Sequence, residues 1–243
     1  MDSGYYAACA GLKTQTQALD LIANNLANLG SVGYRAQQTQ FQSILAAANP
    51  GLLDALNRAI NNFNVIGGTR LDFSNGNLQT TGNALDLAVE GSGFFAVQTR
   101  AGVRYTRNGS FQQSSDGRLV TAQGDPVLGE QGPIVLPAGE ISISADGTLS
   151  VAGALAGKLR IVDVRGADLV PVGNSYYLAT KGQVRPANDT VVRQGALESA
   201  NLDATAEIAN LITVQRHAEM LARALSSFHS DFNRVATQEL ARV

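Results

Sequence analysis

Gln15-Thr16-Gln17-Ala18-Leu19-Asp20-Leu21-Ile22-Ala23-Asn24-Asn25-Leu26-Ala27-Asn28-Leu29-Gly30 decides how this chain is built. Leu19, Ile22, Leu26 and Leu29 recur at alternating steps of three and four, and Tyr5, Ala8, Leu12 and Gln15 carry the same stripe backwards. That spacing keeps one seam along one side of a helix. Asp2 or Ser3 can cap the helix start, and Gly30 suits the left-handed position just past its end. Asn24, Asn25 and Asn28 sit beside the seam although Asn is a poor helix former. Two accounts of them stay open: amides that bond to neighbouring helices in an assembly, or a solvated helix end.

The other end of the chain repeats the pattern. Leu211, Val214, Ala218, Leu221, Leu225, Phe228, Phe232 and Val235 keep the same steps, behind Asp203 as an N-cap and Glu207 in the first turn. Neither Gly nor Pro interrupts residues 196–243. A narrow stripe cannot be buried by the helix that bears it, and each Leu left in water forgoes roughly 1.5–3 kcal/mol. The two ends therefore need each other, or another copy of the chain.

Between them the period changes to two. Leu85, Leu87 and Val89 alternate, as do Phe95 and Val97, Val103 and Tyr105, Ile141 and Ile143, Leu149 and Val151, and Leu159 and Ile161. Turns are signalled at Asn108-Gly109, Asp116-Gly117, Gly124-Asp125-Pro126, Asp146-Gly147 and Lys181-Gly182. The fold class expected is α+β. Long N- and C-terminal helices form a discontinuous, coiled-coil-like helical domain, with a central, mostly antiparallel β domain. The segments expected are 1–35 for the first helix and its motif, 36–76 for a connector, 77–195 for the β domain and 196–243 for the last helix. Within the connector, Leu52, Leu53, Leu56, Ala59, Ile60 and Phe63 have the spacing of a short helix.

Composition narrows the function. A net charge of −2 over 243 residues gives no broad pull toward nucleic acid or anionic lipid. No run approaches the ~20 apolar residues that span a bilayer, so membrane insertion is not expected. The first cation is Lys13, so a charged-then-apolar secretory leader is not expected either. Cys9 stands alone, which rules out an intramolecular disulfide and a thiolate metal cluster, and it reads as a small core residue.

Gly91-Ser92-Gly93-Phe94-Phe95-Ala96 fits the dinucleotide pattern, but a strand-like alternation follows it where that site needs a helix. A tight β-turn explains it. His217 and His229 are the only histidines and stand twelve residues apart in one helix, which suits neither a zinc site nor a Ser-His-Asp triad. The Asp-Gly turns lack the successive carboxylates of a calcium loop. No catalytic residue, cofactor or metal is expected. A β-domain carbohydrate-active enzyme, dimerised by its helices, and an adhesin remain as alternative classes.

Three blocks resemble the bacterial flagellar rod and hook axial proteins. Ala18 to Asn28, followed by Gly33-Tyr34-Arg35, is similar to the basal-body rod signature. Gly76 to Phe95 forms the second, continued by Tyr105-Thr106-Arg107-Asn108-Gly109-Ser110-Phe111 and Asp116-Gly117-Arg118-Leu119-Val120. The third runs from Gln194 to Leu202 and on through Ile212 to Met220. The resemblance implies a non-enzymatic structural subunit of the basal-body rod, closer to the proximal or distal rod protein than to the hook. It also implies partners: copies of itself, other flagellar rod and hook proteins, and the flagellar export apparatus. The implied location is a rod crossing the periplasm, reached without a cleaved signal peptide. The assembly interface expected on this basis is Leu12, Leu19, Ile22, Asn24, Asn25, Leu26, Asn28 and Leu29 against Leu211, Val214, Leu221, Leu225, Phe228 and Phe232.

Overall fold

The computed structural model describes residues 2–42, 65–165, 168–180, 184–187 and 190–238. The connector helix expected over Leu52 to Phe63 and the turn at Lys181-Gly182 lie outside them. Contacts divide the chain into two compact units, one drawn from Met1–Ala27, Gln37–Arg70 and Asp203–Val243, the other from Asn28–Ala36 and Leu71–Leu202.

The first unit contains α1 (Asp2–Ala27), the strand β1 (Gln37–Gln42), the strand β2 (Val65–Leu71) as far as Arg70, and α2 (Ala204–Gln238). β1 and β2 pair with each other, a pairing that the polar, Gln-rich sequence around Gln37 does not announce. Two contacts set the helix direction. A Cβ added to Gly11 would meet the methyls of Leu221 at 3.3 and 3.7 Å, and the Asn25 side chain bonds to Glu207. The C-terminal end of α1 therefore lies against the start of α2, so the helices run antiparallel. Ala8, Ala18 and Ile22 are buried, while Leu12, Leu19, Leu26, Leu211, Val214, Leu221 and Leu225 are half-buried.

The caps follow side-chain chemistry. Asp203 accepts the Thr205 and Ala206 amides at 2.8 and 3.3 Å, satisfying donors that the first helical turn leaves free. At the other helix, α1 ends at Ala27, and the Ser31 amide and hydroxyl bond to the Asn28 carbonyl and side chain at 3.0 and 3.1 Å. The left-handed glycine after the helix is Gly33, at φ 66°, rather than Gly30.

The second unit is built from short strands. In chain order they are β3 (Leu78–Thr80), β4 (Leu87–Glu90), β5 (Gly93–Thr99), β6 (Gly102–Thr106), β7 (Phe111–Gln113), β8 (Leu119–Thr121), β9 (Leu128–Gly129), β10 (Gly132–Pro133), β11 (Ile141–Ile143), β12 (Thr148–Val151), β13 (Ala154–Lys158), β14 (Ile161–Asp163), β15 (Leu169–Pro171), β16 (Tyr176–Ala179), β17 (Arg185–Pro186), β18 (Val191–Gln194) and β19 (Ala196–Glu198). The largest sheet has the order β15-β16-β6-β5-β14-β17, with every pair antiparallel. β3 pairs with β19 and β4 with β18, which ties the start of the unit to its end.

β5 separates two cores. Phe95 and Val97 enter a cluster with Leu87, Phe111, Leu119 and Leu149, whereas Phe94 and Ala96 enter one with Leu71, Tyr105, Val162 and Tyr177. A strand covered on both faces carries an unbroken apolar run, and Phe94 to Val97 is one. Gly91 takes φ 106° in the turn before this strand, so the Gly-Ser-Gly motif is turn chemistry and no helix follows it.

Candidate assembly site

The strongest electrostatic feature of the β unit is a clasp that the alternation pattern does not reveal. Arg35, Arg107 and Glu198 are all at most 2% exposed. Arg35 Nη1 lies 2.8 Å from Glu198 Oε1, and Arg107 Nη1 lies 3.4 Å from Glu198 Oε2. One carboxylate thus serves two buried guanidinium groups. Transferring such ions from water costs several kcal/mol each, and although the Nε of each arginine is buried without a hydrogen-bond partner, the Nη donors make further bonds.

They are used on backbone that closes the unit. Arg35 donates to the Ser74 carbonyl at 2.8 Å and to Asn75 Oδ1 at 3.3 Å, and the Gly76 amide donates to Glu198 Oε1 at 2.8 Å. Arg107 donates to the Val89 carbonyl at 2.9 Å and to the Gly91 carbonyl, and its guanidinium carbon stands 4.9 Å from the Phe94 ring centre. Burial, reinforced by the like charge of Arg35, pushes Arg107 down to about 10. Tyr177 accepts the Arg35 amide at 3.2 Å, and burial pushes its phenol up to about 12.

The same strands are laced through their main chain. The Gly33 amide donates to the Glu198 carbonyl at 2.7 Å, and the Asp72 amide to the Ala36 carbonyl at 2.8 Å. Asn201 accepts the Ala36 amide at 2.7 Å and donates to the Asp72 and Ser74 carbonyls, each at 3.0 Å. Gly33 is required here, since a Cβ at its left-handed φ would fall 2.3 Å from the Arg107 carbonyl carbon. Segments 33–36 and 198–201, which continue in sequence toward α1 and α2, are therefore fastened to one another.

Within the helical unit, Asn25 has a defined structural task. Only 2% exposed, it donates from Nδ2 to the Gln37 carbonyl at 2.9 Å and accepts the Gln37 amide at 3.0 Å. It also bonds to the Glu207 carboxyl, which burial holds above the ordinary carboxylate range while this bond pulls it down. Asn25 is thus an internal staple joining α1, β1 and α2. Asn24 is exposed, and Asn28 and Leu29 are half-buried and grouped with the β unit. Phe228 is 46% exposed, and the Phe232 side chain lies outside the described residues.

α2 also carries apolar residues away from the expected seam. Ile208, Ile212 and Met220 are 46, 47 and 57% exposed. Among the described residues no helix is long and apolar enough to cross a membrane, and no group of three or more candidate metal ligands occurs.

A cleft of about 550 Å³ in the β unit contains Glu130 and Asp146, the kind of carboxylate pair a glycoside hydrolase needs. Lys158 Nζ stands 3.8 Å from both carboxylates. Hydrogen bonds from Thr148 hold the Asp146 carboxyl below its usual range, opposite to the shift of a general acid.

Comparison with known proteins places these features in a family. Residues 6–35 match the flagella basal body rod protein family, 88–151 the flagellar hook protein FlgE/F/G D1 domain, and 193–238 the flagellar basal body rod FlgEFG protein C-terminal family. The chain is 31% identical to the flagellar basal-body rod protein FlgF of Caulobacter vibrioides, over 100% of both chains. It is 33% identical to FlgF of Escherichia coli, over 96% of this chain and 97% of that one. To the rod protein FlgG of Bacillus subtilis it is 31% identical, over 87% and 89%. Arg35 falls in the first matched segment, Arg107 in the second and Glu198 in the third, so the clasp draws one residue from each. With similarity extending over its whole length, the chain belongs to the family of flagellar basal-body rod proteins, structural subunits of the flagellar basal body.

Proposed function

We propose that this subunit polymerises through its terminal helices, packed in coiled-coil fashion, into the helical drive shaft that carries torque from motor to hook. The observation that carries this reading is the exposed apolar surface of α2: Ile208, Ile212, Met220 and Phe228 are each about half exposed on a helix whose seam toward α1 is itself only half-buried. Such residues gain burial only from further helices.

The assembly face comprises Leu12, Leu19, Ile22, Leu26 and Leu29 with Leu211, Val214, Leu221, Leu225, Phe228 and Phe232, shared within and between subunits. Asn24, Asn25 and Asn28 fix the helix end beside that face. Different surfaces meet at each contact, so repetition gives an open helical array rather than a closed ring. The neighbours are further copies and other rod and hook proteins. The chain reaches its place across the periplasm through the flagellar export apparatus. The buried Arg35-Glu198-Arg107 clasp then has a mechanical role, because load passing along either helix enters the β unit through the segments it fastens.

Deleting the gene and purifying basal bodies tests this. The expected result is non-motile cells whose rods are missing or stop short, restored by the wild-type chain. Full-length rods and normal motility in the deletion strain would overturn it.

A further inference from the structure

Two members of the clasp also hold the ends of one reactive peptide, Asn75-Gly76. Arg35 Nη2 donates to Asn75 Oδ1 at 3.3 Å, and Glu198 Oε1 accepts the Gly76 amide at 2.8 Å. A guanidinium can only donate, so the carboxamide presents its oxygen to Arg35. Arg35, Asn75, Gly76 and Glu198 all belong to the β unit. Asn75 is exposed whereas Arg35 and Glu198 are buried, so water reaches the carboxamide while the charges beside it are screened.

An asparagine followed by glycine can close a succinimide ring, in which the glycine nitrogen attacks the side-chain carbonyl carbon. Glycine makes this easiest because it has no Cβ to crowd the amide. Ring closure asks for two things: the nitrogen must give up its proton, and the carbonyl oxygen must carry negative charge as the carbon becomes tetrahedral. Here a carboxylate rests on the N–H and a guanidinium on the oxygen. The turn that bears them is held in place. The Ser74 carbonyl accepts Arg35 Nη1 at 2.8 Å and Asn201 Nδ2 at 3.0 Å, and a Cβ on Gly76 would fall 1.9 Å from the Ser199 carbonyl oxygen. Charge also favours the product. The clasp sets two guanidinium groups against one carboxylate, and an aspartate at position 75 would offer Arg35 a second.

We propose that Asn75 is a self-modification site, at which Glu198 and Arg35 promote cyclisation and deamidation of Asn75-Gly76 in the folded chain. The Gly76 nitrogen bonds to Asn75 Cγ as its proton passes to Glu198 Oε1, and the carboxamide oxygen becomes an oxyanion held by Arg35. The oxyanion then collapses, the bond from Cγ to the amide nitrogen breaks, and Glu198 returns the proton so that ammonia leaves. Water opens the succinimide at either of its carbonyl carbons, giving aspartate or isoaspartate. Nothing is oxidised or reduced.

The chain carries its own control in Asn108-Gly109, where Asn108 Oδ1 accepts the Ser110 amide at 3.0 Å instead of a charged donor. The purified full-length chain is kept at neutral pH, folded or unfolded in guanidinium chloride, and peptides spanning both Asn-Gly pairs are followed by mass spectrometry. A positioned base alone contributes roughly 10²–10⁴-fold, so Asn75 is expected to convert at least about tenfold faster in the folded chain, while Asn108 is slowed by folding. Glu198→Gln, shown to be folded by circular dichroism, is expected to lose the acceleration at Asn75. If that variant does not fold, the wild-type comparison decides alone. Conversion of Asn75 that is no faster in the folded chain would overturn the proposal, because a fixed backbone by itself hinders ring closure. Equal acceleration at Asn108, or acceleration at Asn75 undiminished in folded Glu198→Gln, would overturn it as well.

Discussion

Arg35 and Glu198 meet at 2.8 Å in the interior of the β unit, joining the segment just after the first helix to the segment just before the last. Neither side chain reaches solvent. The pair therefore specifies geometry more than it adds stability, since an ion pair recovers little beyond its own desolvation, while a buried charge left alone is severely unfavourable.

Glu198→Gln tests that asymmetry. It keeps the shape but leaves Arg35 and Arg107 with no carboxylate, and a loss of about 3–5 kcal/mol is expected. Urea unfolding of the purified chain measures it. A change below about 1 kcal/mol would show that the two arginines are satisfied without Glu198.

Alkaline pH should loosen the β unit. Tyr176 and Tyr177 are both raised to about 12 from 10.0 by burial, so their contribution is complete below pH 10 and is lost as pH rises through 12. Arg107 acts in the opposite sense, because its folded value of about 10 lies below 12.5 and the unfolded chain binds the extra proton between them. Comparing Tyr177→Phe with wild type separates these contributions. The fall in stability between pH 10 and pH 12 is expected to be shallower in the variant, and an identical profile would contradict the assignment to Tyr177.

Asn25→Asp should weaken the helical unit. The substitution removes the donor to the Gln37 carbonyl and sets a second carboxylate beside Glu207. The cost expected is about 1–3 kcal/mol at neutral pH, shrinking in acid as the carboxyls protonate. Circular dichroism at both pH values reads it, and equal loss at each would remove the role of charge.

The terminal pattern was legible in sequence because helix periodicity is a local property. The seams from Leu12 to Leu26 and from Leu211 to Leu225 could be read directly, as could the Asp203 cap and the strand that follows Gly91-Ser92-Gly93. The clasp was not legible as a site. Arg107 and Glu198 lie 91 residues apart, and nothing local links them. Their one signal was chemical, each being a charge at or just past the end of a short strand. Asn25 fell between two open readings for a related reason, since its partner Gln37 belongs to β1, a strand whose polar residues show no alternation. The antiparallel direction of the helices also rests on pairings, Gly11 with Leu221 and Asn25 with Glu207, that span most of the chain.

Leu225→Asp should stop assembly without unfolding the β unit. A carboxylate on the half-buried seam removes apolar contact and opposes further helix packing. Soft-agar swimming is expected to fall to the level of the deletion strain, while the alkaline transition of the tyrosines stays in place. Normal swimming would remove Leu225 from the assembly face.

Electron cryomicroscopy of the rod in purified basal bodies, at a resolution that shows side chains, reaches the central claim most directly. The expected result is this chain in the rod wall, with α1 and α2 packed against the helices of neighbouring subunits and Ile208, Ile212 and Met220 buried between them. A rod built without this chain, or one in which its terminal helices touch no neighbour, would contradict it.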